Sequence, residues 1–187
     1  MKRTVVRHVV EQPLDPSYRI VPLSQGKNAL VSAHRYELVN QFNWTAELDR
    51  KGRGWYAMRK MSVAGKEKRI TMHRFITNDF ISPTIDHKNG DGLDNRDENL
   101  RPGTVSQNGA NCAKRANNKT GYKGVQLLRN GKFEAMIKVR GKVHHLGHYV
   151  SKVEAAVAYD RAAFRYFGEF SQLNFPRSNY SDDSFSR

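Results

Sequence analysis

One cysteine, Cys112, stands in 187 residues. A lone thiol excludes an internal disulfide and a cysteine-rich zinc knuckle, so any metal would be held mainly by oxygen and imidazole. Long apolar runs are missing too. Nothing approaches the roughly 20 consecutive apolar residues of a membrane span, and Met1 to Val10 has charges without the continuous apolar stretch of a signal peptide. A soluble cytoplasmic protein with no membrane partner is the expectation. Acidic residues are few, 18 Asp and Glu against 32 Lys and Arg, which leaves a formal +14. A polyanion is the partner that such a charge fits.

The excess is uneven. Residues 1–80 hold 15 basic and 7 acidic groups, a surplus of 8; residues 81–119 hold 6 and 5; residues 120–187 hold 11 and 6, a surplus of 5. Basic flanks around a nearly neutral centre suit a protein that grips a phosphate backbone on both sides of a site where acidic groups hold a cation. With 38% hydrophobic residues, two small cores are expected rather than one large one.

The neutral centre carries the chemistry. It runs Ile85-Asp86-His87-Lys88-Asn89-Gly90, then Asp94-Asn95-Arg96, Glu98-Asn99-Leu100 and Gln107-Asn108. A short strand over Pro83–His87, strong turns at Asn89-Gly90 and Asp91-Gly92, a return over Arg101–Val105 and a polar helix from Ser106 to about Lys114 make a hairpin followed by a helix. Neighbours on a regular strand point to opposite faces, so Asp86 and His87 serve one phosphate only where the strand ends, as the glycine-rich turn after His87 permits. In this arrangement Asp86 and the Asn108 amide oxygen hold Mg²⁺ or Mn²⁺. His87 then deprotonates the attacking water, a task its ordinary pKa suits.

Around that centre the patterns are plainer. Residues 1–17 read as a loose arm, Tyr18–Leu23 and Ala29–Ser32 as a hairpin, and His34–Phe42 as a short helix. Trp44–Glu47 and Trp55–Arg59 read as strands about the Lys51-Gly52-Arg53-Gly54 turn, itself a phosphate contact or a solvated turn. Met72, Phe75, Ile76 and Phe80 lie near helical spacing and face a core, with His73 and Arg74 beside them as DNA contacts. Further on, Tyr122–Leu128, Phe133–Val139 and Val143–Tyr149 form a three-stranded antiparallel sheet. Phe133, Ala135, Ile137 and Val139 line one face, and Gly147 marks a bulge. Ser151 and Glu154 open a helix to about Phe167 in a capping-box pattern, and Gly168 stops it. His144, His145 and His148 have no acidic partner in the pattern and read as DNA contacts or exposed residues. Residues 177–187 read as a disordered tail.

Residues 70–111 resemble the HNH, or ββα-metal, nuclease family in its homing-endonuclease branch. The resemblance implies that Asp86 is the metal aspartate, His87 the general base, Asn99 the asparagine that braces the loop, and Asn108 the second metal ligand in place of a final histidine. Asn111 and His73 also match family positions. Residues 120–176 resemble the Apetala2 and ethylene-response-factor DNA-binding domain, through Gly124-Val125, Leu146-Gly147, Tyr159-Asp160-Arg161-Ala162-Ala163 and Asn174-Phe175-Pro176. That resemblance implies a sheet lying in the DNA major groove, with Lys123, Gln126, Arg129, Lys132, Lys138, Arg140 and Lys142 against the duplex.

The expected fold is α+β. A flexible arm (1–17) precedes an HNH nuclease domain (18–112) whose ββα-metal core at about 70–112 follows a β-rich head. A linker (113–119), a sheet packed on one helix (120–176) and the tail come after it. The expected function is a metal-dependent DNA endonuclease of a bacterial or phage-infected cell, homing-type or phage-encoded, nicking double-stranded DNA as a monomer with no obligatory protein partner. The alternatives are a non-cleaving DNA-binding regulator built on a nuclease-derived fold and a structured-RNA binder.

Overall fold

The computed structural model describes residues 8–49, 52, 54–63, 65–114 and 117–180. Parts of the expected arm, of the Lys51–Arg53 turn, of the linker and of the tail therefore lie outside the described residues. The chain is mixed α and β, with several small sheets and few helices, and divides into two compact units, residues 1–103 and 104–187.

The first unit opens with β1 (Tyr18–Pro22) and β2 (Asn28–Ser32), the expected hairpin, paired antiparallel from Tyr18 opposite Ser32 to Pro22 opposite Asn28. A 3-10 turn leads into α1 (Tyr36–Asn40), then β3 (Thr45–Leu48), β4 (Trp55–Val63) and β5 (Lys66–Thr71), a second antiparallel sheet in that order. Next come α2 (Met72–Thr77), β6 (Thr84–His87), β7 (Asp94–Asn95) and β8 (Leu100–Gly103). β6 and β8 pair antiparallel, whereas β7 leaves them and joins β2 in parallel. One core serves all of this: Val21, Val31, Val39, Trp44, Met72 and Ile85 are buried together, with Phe42 and Phe75 packed against them. The Arg59 guanidinium lies 3.7 Å from the Phe42 ring centre and 5.5 Å from that of Phe75. Its Nε and Nη1 are buried without a hydrogen-bond partner, so ring faces take the place of acceptors.

Three expectations change here. Phe80 lies beyond the end of α2, where Asn78 adopts left-handed backbone, and it is 60% exposed rather than in the core. The arm is tied down at Gln12, whose side chain donates to the Ile20 carbonyl and accepts from the Ile20 amide, at 3.0 and 2.9 Å. At the other end Tyr180 is buried, its hydroxyl donating to Asp160 at 3.0 Å, and Arg177–Asn179 form an exposed 3-10 turn leading to it, so residues 177–180 are ordered and not a tail.

The second unit comprises α3 (Val105–Asn111), β9 (Val125–Leu127), β10 (Phe133–Val139), β11 (Lys142–Tyr149) and α4 (Lys152–Phe167). Thr104 and Gln107 form a reciprocal capping box that starts α3, which satisfies two backbone donors at once. α3 ends before the expected Lys114, and β9 is shorter than the expected Tyr122–Leu128. The sheet order is β11-β10-β9. Ala135 and Ile137 face α4 and pack on Ala155, Ala156, Tyr159 and Ala163. The bulge falls where expected: Ala135 pairs with Gly147 and Met136 with His145, leaving Leu146 as the extra residue. Ser151 caps α4 through the Val153 amide alone, so the capping box expected with Glu154 is reduced to its serine half.

Two tight fits hold this unit. Asp160 is fully buried and accepts from the amides of Asn174 and Phe175 and from the Asn174 side chain, at 2.8 to 2.9 Å. Gly124 has φ +76, and a Cβ there would fall inside the Tyr159 ring. Gly124→Ala therefore meets both overpacking and left-handed strain, and is expected to destabilise the unit by about 2–4 kcal/mol. Chemical denaturation of the two proteins measures this, and equal midpoints would contradict it.

Candidate active site and nucleic-acid interface

The register of one hairpin decides which side chains meet. In β6–β8, Asp86 lies directly opposite Arg101 and His87 opposite Leu100. Asp86 is 2% exposed, and its Oδ2 accepts from Arg101 Nε at 2.9 Å and Nη2 at 2.8 Å. A carboxylate taken out of water needs such a partner, because an uncompensated buried charge costs several kcal/mol, of order 3–5. His87 ends the strand and turns to the other side, next to two more rings. Its ring centre lies 5.1 Å from that of His73 and 5.8 Å from that of Tyr56, both edge-on. Gly92 completes the enclosure, since a Cβ there would come within 2.5 Å of the Trp55 carbonyl oxygen and 2.6 Å of the Tyr56 ring.

The loop between the strands is closed by amides. Asn99 accepts from the Asn89 amide at 3.0 Å and donates to Asn89 Oδ1 at 3.0 Å and to the Asp94 carbonyl at 2.7 Å. Asp94 is gripped in turn by Asn89 Nδ2 at 2.8 Å and by Arg96 through Nε at 2.8 Å and Nη2 at 2.7 Å. The Arg96 contact holds the Asp94 carboxyl below its ordinary pKa against the opposing effect of burial. Fully buried Asn95 donates to the Leu93 carbonyl at 3.1 Å and turns its Oδ1 toward His87 Nε2 at 3.5 Å.

Burial dominates the electrostatics of the two histidines. It lowers the His87 pKa below 6.5 despite the opposing pull of Asn95 and the nearby carboxylates. It pushes His73 down to about 3, assisted by the charges of His87 and Arg74. Both rings are therefore neutral at pH 7, the state in which an imidazole accepts a proton.

The remaining expected residues are distributed as follows. Asn108 and Asn111 are carried by α3 in the second unit. His73, expected at DNA, is 9% exposed and bonds Thr71 Oγ1 at 2.9 Å. Arg74, also expected there, turns back on its own loop and donates to the carbonyls of Asp79, Ser82 and Pro83. Lys123 sends its ammonium to the Ala110 carbonyl, and burial drops its pKa to about 8. Gln126, Arg129, Lys132, Lys138, Arg140 and Lys142 are exposed. Sequence reasoning missed Asn95, Arg101 and Tyr56 around the Asp86–His87 pair. Of these only Arg101 left a signal, as the charge facing Asp86 once the hairpin register is drawn. It also missed Glu134, whose Oε1 lies 2.6 Å from His145 Nδ1 and 3.5 Å from His148 Nε2. The acidic partner for these histidines stands on the neighbouring strand.

Among the described residues no group of three His, Cys, Asp or Glu is arranged to hold a metal ion. A cation at Asp86 would therefore depend on amide, water and phosphate oxygens for its remaining ligands. Mg²⁺ and Mn²⁺ accept such a set, because they bind hard oxygen donors and keep several waters. The donor chemistry fits either ion. Among the described residues no helix is long and apolar enough to cross a membrane.

No protein-family model matches the chain. It is similar to "Uncharacterized HNH endonuclease L560" of Acanthamoeba polyphaga mimivirus, 26% identical over 163 residues, which are 84% of this chain and 80% of that one. Shorter stretches are similar to plant proteins. "APETALA2-like protein 2" of Oryza sativa subsp. indica is 42% identical over 65 residues, 34% of this chain and 15% of the relative. "Ethylene-responsive transcription factor WRI1" of Arabidopsis thaliana is 47% identical over 64 residues, 33% and 15% of the two. The chain thus spans most of the viral protein's length and 15% of the length of these two plant proteins.

The neutral state of His73 has a stability consequence. Its folded pKa, about 3, lies below its unfolded value near 6.5, so between these limits the unfolded chain binds the extra proton. Stability from this group is full above pH 6.5 and is lost as pH falls toward 3. The urea midpoint of the first unit is expected to fall over that window, and His73→Gln to flatten the slope. An identical slope in the variant would remove His73 as the cause.

Proposed function

We propose that the protein is a divalent-metal-dependent DNA endonuclease of HNH type, with a ββα-metal core at about residues 70–112 and an Apetala2-like DNA-binding domain over residues 120–176. The observation that carries this reading is a buried carboxylate beside a buried, neutral imidazole at the end of β6, ahead of a loop closed by Asn99. Support comes also from the similarity to a viral protein named an HNH endonuclease. The similarity to plant proteins, one of them named an ethylene-responsive transcription factor, supports duplex DNA as the partner.

In this reading His87 takes the proton of the attacking water. Asn95 spends its Nδ2 on the Leu93 carbonyl, so its Oδ1 faces His87 Nε2. That keeps the ring hydrogen on Nε2 and assigns proton transfer to Nδ1. Asp86 and the Asn108 amide oxygen would hold Mg²⁺ or Mn²⁺, and the cation would supply charge stabilisation to the phosphate and the departing 3′ oxygen. Arg101 orients the Asp86 carboxylate through two hydrogen bonds, and Asn99 holds the loop that follows His87. The exposed side chains Gln126, Arg129, Lys132, Lys138, Arg140 and Lys142, with Asn111, meet the duplex. The one site per chain nicks one strand as a monomer, in the manner of a homing-type or phage-encoded enzyme.

A second reading has an observation of its own. His87 is 5% exposed and Asp86 is already ion-paired with Arg101, as a regulator that binds DNA without cutting it would allow. The His87→Ala protein separates the two. On the nuclease reading it binds duplex DNA within about twofold of wild type and cuts at least ~100-fold more slowly, the usual contribution of a general base. Equal cutting by both proteins would remove His87 as the base, and binding without cutting by either would favour the regulator.

The DNA-facing assignment has a separate check in salt. Replacing Lys138 and Arg140 by Gln is expected to weaken binding and reduce the slope of log affinity against log salt by about 0.9 for each phosphate that is no longer neutralised. An unchanged slope would take both residues out of the interface.

A further inference from the structure

The sheet of the second unit packs one face on α4, and its other face carries Gln126, Glu134, Met136, Lys138, Val143, His145 and His148. Two histidines three positions apart would point to opposite sides of a regular strand. The extra residue at Leu146 brings both onto the face of Glu134, opposite which His148 and Gln126 sit on the two neighbouring strands. Glu134 is the buried centre of this group, with a side chain 8% exposed while that of His145 is 67% exposed.

An ionised carboxylate has no hydrogen to give, so whatever bonds to it must donate. His145 Nδ1 lies 2.6 Å from Glu134 Oε1, and Gln126 Nε2 donates to Oε2 at 2.5 Å. Contacts with His145, then with Gln126, hold the Glu134 carboxyl below its ordinary pKa. Imidazole and amide each have a donor end and an acceptor end. Here one donor of each is turned inward, which leaves outward the His145 Nε2, the Gln126 Oε1 and the second hydrogen of Gln126 Nε2.

We propose that Glu134 sets the base preference of this surface by orienting His145 Nε2 and Gln126 Oε1 outward as hydrogen-bond acceptors, selecting bases that offer an exocyclic amino group. In the major groove those bases are adenine, through N6, and cytosine, through N4; guanine O6 and N7 and thymine O4 offer only acceptors. Glu134 touches no base and acts as a positioning residue. The inference rests on the reading of this sheet as the DNA-binding face and adds which atoms discriminate.

The test is selection of bound sites from a random duplex library by the full-length chain in chelator. Wild type is expected to prefer adenine or cytosine at two positions. His145→Ala should lose the preference at one of them alone, by about five- to a hundredfold. Glu134→Gln, nearly isosteric, should lose discrimination at both while total affinity for duplex DNA holds or rises, because a negative charge has gone. A merely structural role would instead lower affinity at every position together. Glu134→Ala repeats the test if the amide adopts a compensating orientation, with a melting curve confirming that each variant is folded. Wild-type preferences retained in both Glu134 variants, or guanine or thymine selected at the two positions, would overturn the inference alone. Failure of the wild-type chain to bind duplex DNA would overturn it together with the reading of the sheet on which it rests.

Discussion

A single side-chain amide closes the loop on which the site depends. Between β6 and β8 the backbone of residues 88–99 leaves the sheet and carries polar groups into a half-buried space, where each unsatisfied donor or acceptor costs about 1–3 kcal/mol. Asn99 meets three of these demands, at the Asn89 amide, the Asn89 side chain and the Asp94 carbonyl. Aspartate could not donate and leucine could do neither. With that closure Asp94 and Asn95 are held along β2, and Asn95 comes to rest against the imidazole of His87. The position of the ring thus follows from a loop brace twelve residues away along the chain.

Burial then gives the pair at the strand end its character. The same removal from water that makes Asp86 require Arg101 makes His87 and His73 reluctant to charge. The carboxylate has a guanidinium opposite it in the register, and burial holds two imidazoles neutral, at His87 against Asn95 and the nearby carboxylates and at His73 with the help of the charges of His87 and Arg74. Two groups of different charge state at adjacent positions suit metal-assisted hydrolysis, in which one side must attract a cation and the other must accept a proton.

Much of this was legible where the cause is local. The hairpin of β1 and β2, the sheet of β9 to β11, the bulge at Leu146 and the stop at Gly168 follow from alternation, turn glycines and a break in periodicity, all carried by residues close in sequence. The errors share a physical origin. Phe80 looked like a core residue because its spacing continues α2, but Asn78 ends the helix in left-handed backbone and the period no longer applies. Arg74 looked like a DNA contact because sequence records charge and not direction, and Lys123 because the Apetala2 resemblance sets it against the duplex; both are drawn back by protein carbonyls. Tyr180 looked like part of a tail because Asp160, its partner, is 20 residues away. The Asp86, His87 and Asn99 spacing was readable, whereas the shell of Arg101, Asn95 and Tyr56 depends on pairings that only the folded chain assembles.

The functional account turns on whether the buried pair at the end of β6 performs chemistry or only inherits its shape. Its most direct test is the fate of supercoiled plasmid incubated with the purified full-length chain in Mg²⁺ or Mn²⁺ and, in parallel, in chelator. The account predicts open circles with either metal and intact plasmid in chelator. Equal cutting in chelator, or tight binding with no cutting in either metal across varied DNA, would contradict it.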